Sequence, residues 1–346
     1  MFSSIASPRT SLLNRIFSTM NNAKTKAAVL YHYPCPDGVF AALAAHLYFS
    51  ATSSPVSFFP NTVYSPIRVD QLPLKEISHV YLLDFVGPTG FVQDLSSKVK
   101  KVIILDHHKT ALETLGGETS LSKNVAQVID MNRSGATIAH DYFKQKLSEE
   151  IGNNHELALA EFERMRKMYE YIEDVDLWRW RLENSKAFSS GMKDSNIEFN
   201  FNENPSVFNQ LLALNLDDVI KQGMVSLSHK QKLITEALEQ SFVISLGDKD
   251  IGCCLAVNAD EALSEMRSEL GHQLACKSRD QNLRGIGAVV YRVPELGNDQ
   301  MLKISLRSVD TEDTTLVSQK YGGGGHRNAS SFMLSTAEFE AWKLKN

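Results

Sequence analysis

Three short apolar runs follow one another early in the chain, and each ends on a polar, reactive residue. Residues 27–31 (AAVLY) lead into His32, residues 80–83 (VYLL) into Asp84, and residues 102–105 (VIIL) into Asp106, His107 and His108. Runs of this kind do not alternate apolar with polar, so they predict strands covered on both faces. The segments between them are long enough for crossovers, which points to a parallel α/β sheet. Open sheets of that class place ligands at the carboxyl ends of their strands, so the three polar termini are expected to converge on one crevice. A fourth run, 125–129, leads through Asp130 and Ser134-Gly135 into a helix near 136–143.

Further on the period changes. Leu157, Phe162, Met165, Met168 and Ile172 recur at helical spacing, predicting an amphipathic helix over about 154–171 that delivers the chain to Glu173-Asp174-Val175-Asp176. Segment 188–204 is polar and turn-rich, and 219–241 reads as a helix able to bridge two domains. Beyond it come β-like runs at 242–244, 251–257, 287–291 and 302–306, with a helix near 262–274. The expected fold class is therefore α/β: a parallel-sheet domain over 24–185, a helical linker over 186–241, and a smaller α+β domain over 242–340. The division falls near residue 240, and no internal repeat is present.

Composition narrows the picture. A length of 346 residues suits two domains, and 43% hydrophobic with 22% charged residues is that of a globular chain, which sets aside fibrous and disordered classes. The longest charge-free stretch, 38–67, is broken by polar residues and Pro55, Pro60 and Pro66, so no segment reaches the roughly 20 apolar residues of a bilayer helix. A net charge of −5 gives no globally basic surface, so stable duplex DNA binding is not expected and any nucleic-acid contact is local. Cys35, Cys253, Cys254 and Cys276 form no CxxC pair, as free thiols of a reducing compartment do. Residues 1–20 carry Arg9 and Arg15, many serines and no acid; the first carboxylate of the chain is Asp37. That composition predicts a transit peptide, with Arg15-Ile16-Phe17 before Ser18 favouring a mitochondrial destination. A plastid destination, or a cytoplasmic form starting at Met20, are the alternatives.

The candidate chemistry gathers at the strand ends. His32, Cys35 and Asp37 crowd one turn between a strand and an Ala-rich helix. Asp84 follows four apolar residues, and a carboxylate there is costly unless paired or bound to a cation. With Asp106, His107 and His108 the set mixes carboxylates and imidazoles as divalent Mn, Mg, Fe or Zn require, in the number a two-metal site needs. Far along the chain, Gly322, Gly323, Gly324 and Gly325 free the backbone to point N–H groups at an anion. Arg307 and His326 would complete a terminal-phosphate pocket, with Arg327 supplementary. Trp178 and Trp180 are expected to pack the preceding helix against the core rather than to stack bases. His46 reads as a packing or solvent residue, and Met165, Met168 and Tyr171 read as core. Cys253 and Cys254 are expected on opposite faces of one strand.

Taken together, these motifs resemble the DHH phosphoesterase superfamily, whose name matches Asp106-His107-His108. His32 with Asp37-Gly38 matches its first motif, Asp84 its second, and the acidic run at 173–176 its fourth. The segment 303–308 (KISLRS) with the GGGGH run at 322–326 matches the associated C-terminal substrate domain. The resemblance implies that His32, Asp37, Asp84, His107 and either Asp174 or Asp176, Asp174 being favoured, hold one or two divalent metals, typically Mn, with Asp84 bridging. It implies that His108 contacts the phosphate or leaving oxygen and that Asp106 orients the histidines or serves only the strand end. Arg307, the glycines and His326 would grip phosphate. Cys35 departs from the family pattern, which has aspartate there; as a ligand it would shift preference toward Zn or Fe, and otherwise it packs at the turn. The pairing of domains most resembles nanoRNases that degrade short oligoribonucleotides and related enzymes acting on dinucleotides or nucleoside bisphosphates. An exopolyphosphatase or pyrophosphatase, and a catalytically silent nucleotide- or RNA-binding module, are the other readings.

Overall fold

Strands covered on both faces demand two helical layers, and that is how the first part of the chain folds. The computed structural model describes residues 26–116, 122–150, 155–247, 251–294, 297–298, 300–309 and 311–344; the expected leader lies outside them. Strands β1 (Lys26–His32), β2 (Val56–Asn61), β3 (Ile77–Leu83), β4 (Lys101–Asp106) and β5 (Val125–Ile129) form a sheet in the order β2-β1-β3-β4-β5. All its neighbours are parallel, with Leu30 level with Leu82 and Leu82 level with Ile104. Alternate residues of each run enter different cores: Val29, Tyr31, Tyr81, Leu83, Ile103 and Leu105 face one, and Ala28, Leu30, Val80, Leu82, Val102 and Ile104 face the other.

The first face is covered by α1 (Pro36–Ala51), α4 (Gly135–Glu149) and α5 (Glu156–Asp176), which pack on one another. The second is covered by α2 (Phe91–Lys98) and α3 (Lys109–Gly116) through Phe91, Val92, Leu95, Ala111 and Leu115. Met165, Met168 and Tyr171 lie in the first core as expected. His46 packs there too, its ring 4.7 Å from that of Phe208. Strand β2 was not legible: Pro60 interrupts its run, yet β2 is the sheet's outer strand, where proline is tolerated.

Segment 188–204 is turn-rich, as the sequence suggested, only beyond Asp194. Helix α6 (Ser185–Asp194) occupies its start, and Phe188 and Met192, four apart, are buried in the first core. Helix α7 (Val207–Ala213) adds Val207, Phe208 and Leu211 to the same core, so much of the expected linker is structural mass of the first unit. Contacts divide the chain after Met224, within α8 (Leu216–Glu239).

The second unit holds a six-stranded mixed sheet. Its strands are β6 (Phe242–Ser245), β7 (Cys253–Asn258), β8 (Ile286–Tyr291), β9 (Met301–Ser308), β10 (Gly324–His326) and β11 (Ala329–Ser335), in the order β10-β11-β9-β8-β7-β6. Only β7 and β8 pair in parallel, and α9 (Arg267–Asp280) supplies the crossover between them. Cys254 is fully buried and Cys253 half-buried, as opposite faces require, and all four cysteines are free thiols. Phe332, Leu334, Phe339 and Trp342 close one face. Short α10 (Thr315–Lys320) precedes the glycine run, and α11 (Thr336–Trp342) ends the unit under a Ser335–Glu338 capping box.

Phe143 on α4 is fully buried, with ring centroids 5.3 Å from Tyr81 and 5.6 Å from Tyr48. Phe143→Ala removes the centre of this aromatic cluster and is expected to cost about 3–5 kcal/mol. Chemical unfolding of the variant against the parent measures it.

Candidate metal centre

The sheet brings the three predicted strand ends together. Asp84 stands just after β3 and Asp106 closes β4, and both are 1% exposed. His32 closes β1, and Asp37 lies in the first turn of α1, also 1% exposed. Asp84 adopts a left-handed backbone with φ of 64°, a conformation that aspartate tolerates better than most residues but still at a cost. Its backbone N–H donates to Leu105 of the neighbouring strand at 2.8 Å, which fixes the turn.

Asp84 presents its two oxygens to different neighbours. Oδ2 is 3.1 Å from His32 Nδ1, and Oδ1 is 3.2 Å from His107 Nε2. Three overlapping groups of ligand atoms lie within 4.8 Å of one another: His32, Cys35 and Asp84; Asp84, His107 and His108; Asp37, His107 and Asp176. Asp84 and His107 each belong to two groups, and of the two only the carboxylate, with two oxygens, could serve more than one ion.

Burial and like charge shape the titration of these groups. Burial, then the neighbouring Asp84 and Asp176 charges, push the Asp37 carboxyl well above its ordinary range. Burial also works to raise Asp84, but the His107 and His32 imidazoles outweigh it and hold that carboxylate at about 2. Asp176 is raised by burial, with His107 opposing and Asp84 adding. The Cys35 thiol is pushed up by burial first and then by Asp84 and Asp37. His108 rises to about 9, chiefly through its hydrogen bond to Asp106.

A cation fits this site. Asp84 Oδ1, Asp106 Oδ2, His107 Nε2 and Asp176 Oδ2 are buried with no hydrogen-bond partner, and orphaned polar atoms in one buried cluster are what a metal would satisfy. The donors are mostly carboxylate oxygen and imidazole nitrogen, suited to Mn, Mg, Fe or Zn, with one sulfur at Cys35.

The two candidates for the fourth position have different surroundings. Asp176 joins Asp37 and His107, whereas the carboxylate of Asp174 accepts from the N–H groups of Arg181 and Leu182 and from the Ser185 hydroxyl. Burial works to raise Asp174, but these hydrogen bonds outweigh it and bring its carboxyl below the ordinary range. The preference for Asp174 is therefore reversed, because its lone pairs are spent on the turn after α5. That turn also corrects the reading of Trp178, while Trp180 is half-buried. Trp178 and Trp180 have φ of 53° and 52° as the chain folds back on Asp174, and Trp178 is 78% exposed instead of packed.

Asp106 Oδ1 accepts from the backbone N–H groups of His107 and His108 and contacts His108 Nδ1 at 2.8 Å, so it orients His108 and caps the strand end. Sequence reasoning placed the start of α4 but missed its contact with the site. Gly135 and Ala136 N–H groups donate to Asp37 at 2.7 and 2.9 Å, and a Cβ on Gly135 would lie 2.8 Å from the Asp84 carboxylate. The signal was present as Ser134-Gly135 before a helix, a cap and a small residue where another chain must approach. Glu173, likewise missed, accepts from Ser134 N–H and the Thr137 hydroxyl and pairs with Arg179, tying α5 to α4 beside Asp176.

In the second unit the glycine run is not a free loop. Gly324 to His326 form the outer strand β10, and His326, Ala329 and Arg307 stand in one row across β10, β11 and β9. Residues of one row point to the same face, so Arg307 and His326 share a face about 10 Å apart. Gly325 needs a φ of 142°, whereas a Cβ at Gly324 would meet open space. Arg307 also contacts Ser268 and the Leu306 carbonyl.

Comparisons with known proteins add the following. No family model matches the chain. The uncharacterized protein R106 of Acanthamoeba polyphaga mimivirus is 24% identical over 331 residues, covering 89% of this chain and 67% of that one. Among solved structures the chain is similar to exonuclease RecJ bound to manganese, at 12% identity and TM-score 0.40, covering 99% and 94% of the two chains. It is also similar to a pGpG-specific phosphodiesterase, PggH, of Vibrio cholerae, at 10% identity and TM-score 0.41 over 92% and 96%. An exopolyphosphatase-related protein of Bacteroides fragilis aligns at 14% identity and TM-score 0.29 over 96% and 92%.

Replacing each of the two acidic residues separates their roles. Asp176→Asn is expected to lower Mn²⁺ affinity at least tenfold. Asp174→Ala is expected to keep that affinity but lose about 1–3 kcal/mol of stability, because buried donors lose their acceptor. Mn²⁺ titration calorimetry and chemical unfolding of the two variants check this.

Proposed function

We propose that the chain is a DHH-type, metal-dependent phosphoesterase that hydrolyses short oligoribonucleotides or dinucleotide phosphates to mononucleotides. The observation that carries the reading is the buried cluster of His32, Asp37, Asp84, His107 and Asp176, with its orphaned ligand atoms, at the carboxyl ends of β1, β3 and β4. The ligand set supports manganese as the resident ion, with Mg, Zn or Fe as substitutes. Divalent ions held there supply an activated water and offset charge on the phosphoryl oxygens.

The chain's own groups have distinct tasks. Asp84 spans the His32 and His107 sides of the site and sets the spacing of the ligands. Helix α4 presents its N-terminal amides to Asp37, which keeps that carboxylate in place against the repulsion of Asp84 and Asp176. His108, held by Asp106, is the donor for a phosphate oxygen or for the leaving oxygen. In the second unit Arg307, His326 and the backbone of Gly322, Gly323, Gly324 and Gly325 are the proposed grip on a terminal phosphate. That grip supports a preference for short, phosphate-ended substrates without a basic surface.

Incubation of the full chain with Mn²⁺ and, in parallel, a 5′-phosphorylated diribonucleotide, a 20-mer RNA and polyphosphate tests the reading. The dinucleotide is expected to be consumed fastest, and Asp84→Asn to reduce its turnover by 10³-fold or more. Release of phosphate from polyphosphate alone would replace this reading with that of an exopolyphosphatase, and turnover of none would leave a binding module.

Arg307→Ala is expected to raise KM for the 5′-phosphorylated dinucleotide about tenfold or more, consistent with loss of a charge-assisted hydrogen bond of roughly 1.5–3 kcal/mol. The KM of the dinucleotide lacking that phosphate should change little. Steady-state kinetics on the two substrates measures the difference.

A further inference from the structure

We propose that the cavity beside Asp37 and Asp176 is a nucleobase pocket, so that the phosphoester cleaved at the cluster carries a nucleoside on that side. The inference rests on the phosphoesterase reading and deepens it by assigning the place where a base of the substrate is held.

The cavity measures about 410 Å³ and lies wholly within the first unit. Small-molecule sites span roughly 300–1,000 Å³ and are mostly apolar with a few polar groups at the edge. Asp37 and Asp176 form part of its lining, so a phosphate held at the cluster sets its ester substituent at the cavity mouth. A second cavity of about 320 Å³, lined in part by His32, Asp84, Asp106 and His108, flanks the same cluster. Space on two flanks suits a diester with a substituent on each bridging oxygen.

The lining identifies the kind of substituent. Ile172, Phe188 and Met192 are 3%, 1% and 5% exposed and contribute an apolar floor; Val175, Ile197 and Phe199 contribute apolar walls. Ser189, Lys193, Asn196 and Glu198 add polar groups to the same lining. A flat ring with apolar faces and a hydrogen-bonding edge matches such a mixture. A phosphate chain fits it less well: its charges would be stripped of water against phenylalanine and methionine and would meet the Glu198 carboxylate as well as the Lys193 ammonium.

The walls are held in place before any ligand arrives. The Tyr31 hydroxyl, on β1, donates to the Phe199 carbonyl at 2.6 Å and accepts from the Phe201 N–H at 3.0 Å. Asn204 Nδ2 donates to the Glu198 carbonyl at 2.9 Å. The strand that ends in metal-site His32 thus also anchors the segment that walls the cavity, and a preformed wall spares the ordering cost of binding.

Calorimetry on the Mn²⁺-loaded full chain compares AMP with ribose 5-phosphate, which keeps the phosphate and lacks the base. AMP is expected to bind at least tenfold tighter. Ile197→Trp, which fills the cavity, and Phe199→Ala, which removes a wall, should each cut that advantage below threefold. Retention of the Mn²⁺-dependent rise in Tm reports that fold and cluster survive in these variants. Equal affinities for the two ligands, binding of neither, or an AMP advantage unchanged in both variants overturns the pocket. Turnover of a dinucleotide beside its abasic counterpart separates this proposal from the one beneath it. Equal rates remove the pocket and leave the phosphoesterase, whereas base-dependent AMP binding without turnover of any phosphoester upholds the pocket and removes the phosphoesterase.

Discussion

Three carboxylates crowded within reach of one another, two of them buried, are the constraint around which the first unit is organised. Asp37 and Asp84 are buried and Asp176 half-buried, so like charges repel and burial penalises each of them. Positive and polar groups converge on that site as a consequence. His32 and His107 flank Asp84, and the amides at the start of α4 reach Asp37. Even so, four polar atoms stay without a hydrogen-bond partner, and a divalent cation is a group whose chemistry would complete the balance.

Such a site works only if its ligands cannot drift, and the surrounding contacts are arranged for that. Asp106 ties the His107–His108 backbone and the His108 ring to the end of β4. Glu173, braced by Arg179, joins α5 to the N-terminus of α4, whose amides in turn hold Asp37, so contacts link the segments that carry Asp176 and Asp37. Asp174 pins the turn after α5 and turns the chain outward through two left-handed tryptophans. Each of these residues touches a candidate ligand or the backbone beside one, at the ends of strands and helices that carry the cluster.

The cysteine at position 35 is the point where this chain departs from the pattern its motifs resemble. Its sulfur lies with His32 and Asp84, not in a packing niche away from the cluster. Burial and the adjacent carboxylates hold it as a thiol in the absence of a cation. As a ligand, this softer donor would shift preference toward Zn or Fe.

Strand runs that end on reactive residues were legible because a sheet buried on both faces must be continuously apolar, and the chemistry at its end interrupts that run. His32, Asp84 and the Asp106-His107-His108 triplet were read from that rule, whereas Asp37, at the adjoining turn, gained its role from the resemblance of the motifs. The amides of Gly135 and Ala136, the roles of Asp174 and Asp176, and helix α6 were not legible. Each depends on a contact between segments far apart in the chain, where two acids two residues apart on one helix look alike until a turn spends the lone pairs of one. What the sequence by itself determined is the sheet, its polar ends and the type of ligand gathered there. What the tertiary structure alone decided is which acid faces the cluster, and that an apolar cavity opens beside it. Periodicity fixes which face a residue takes, but only long-range packing fixes what stands opposite.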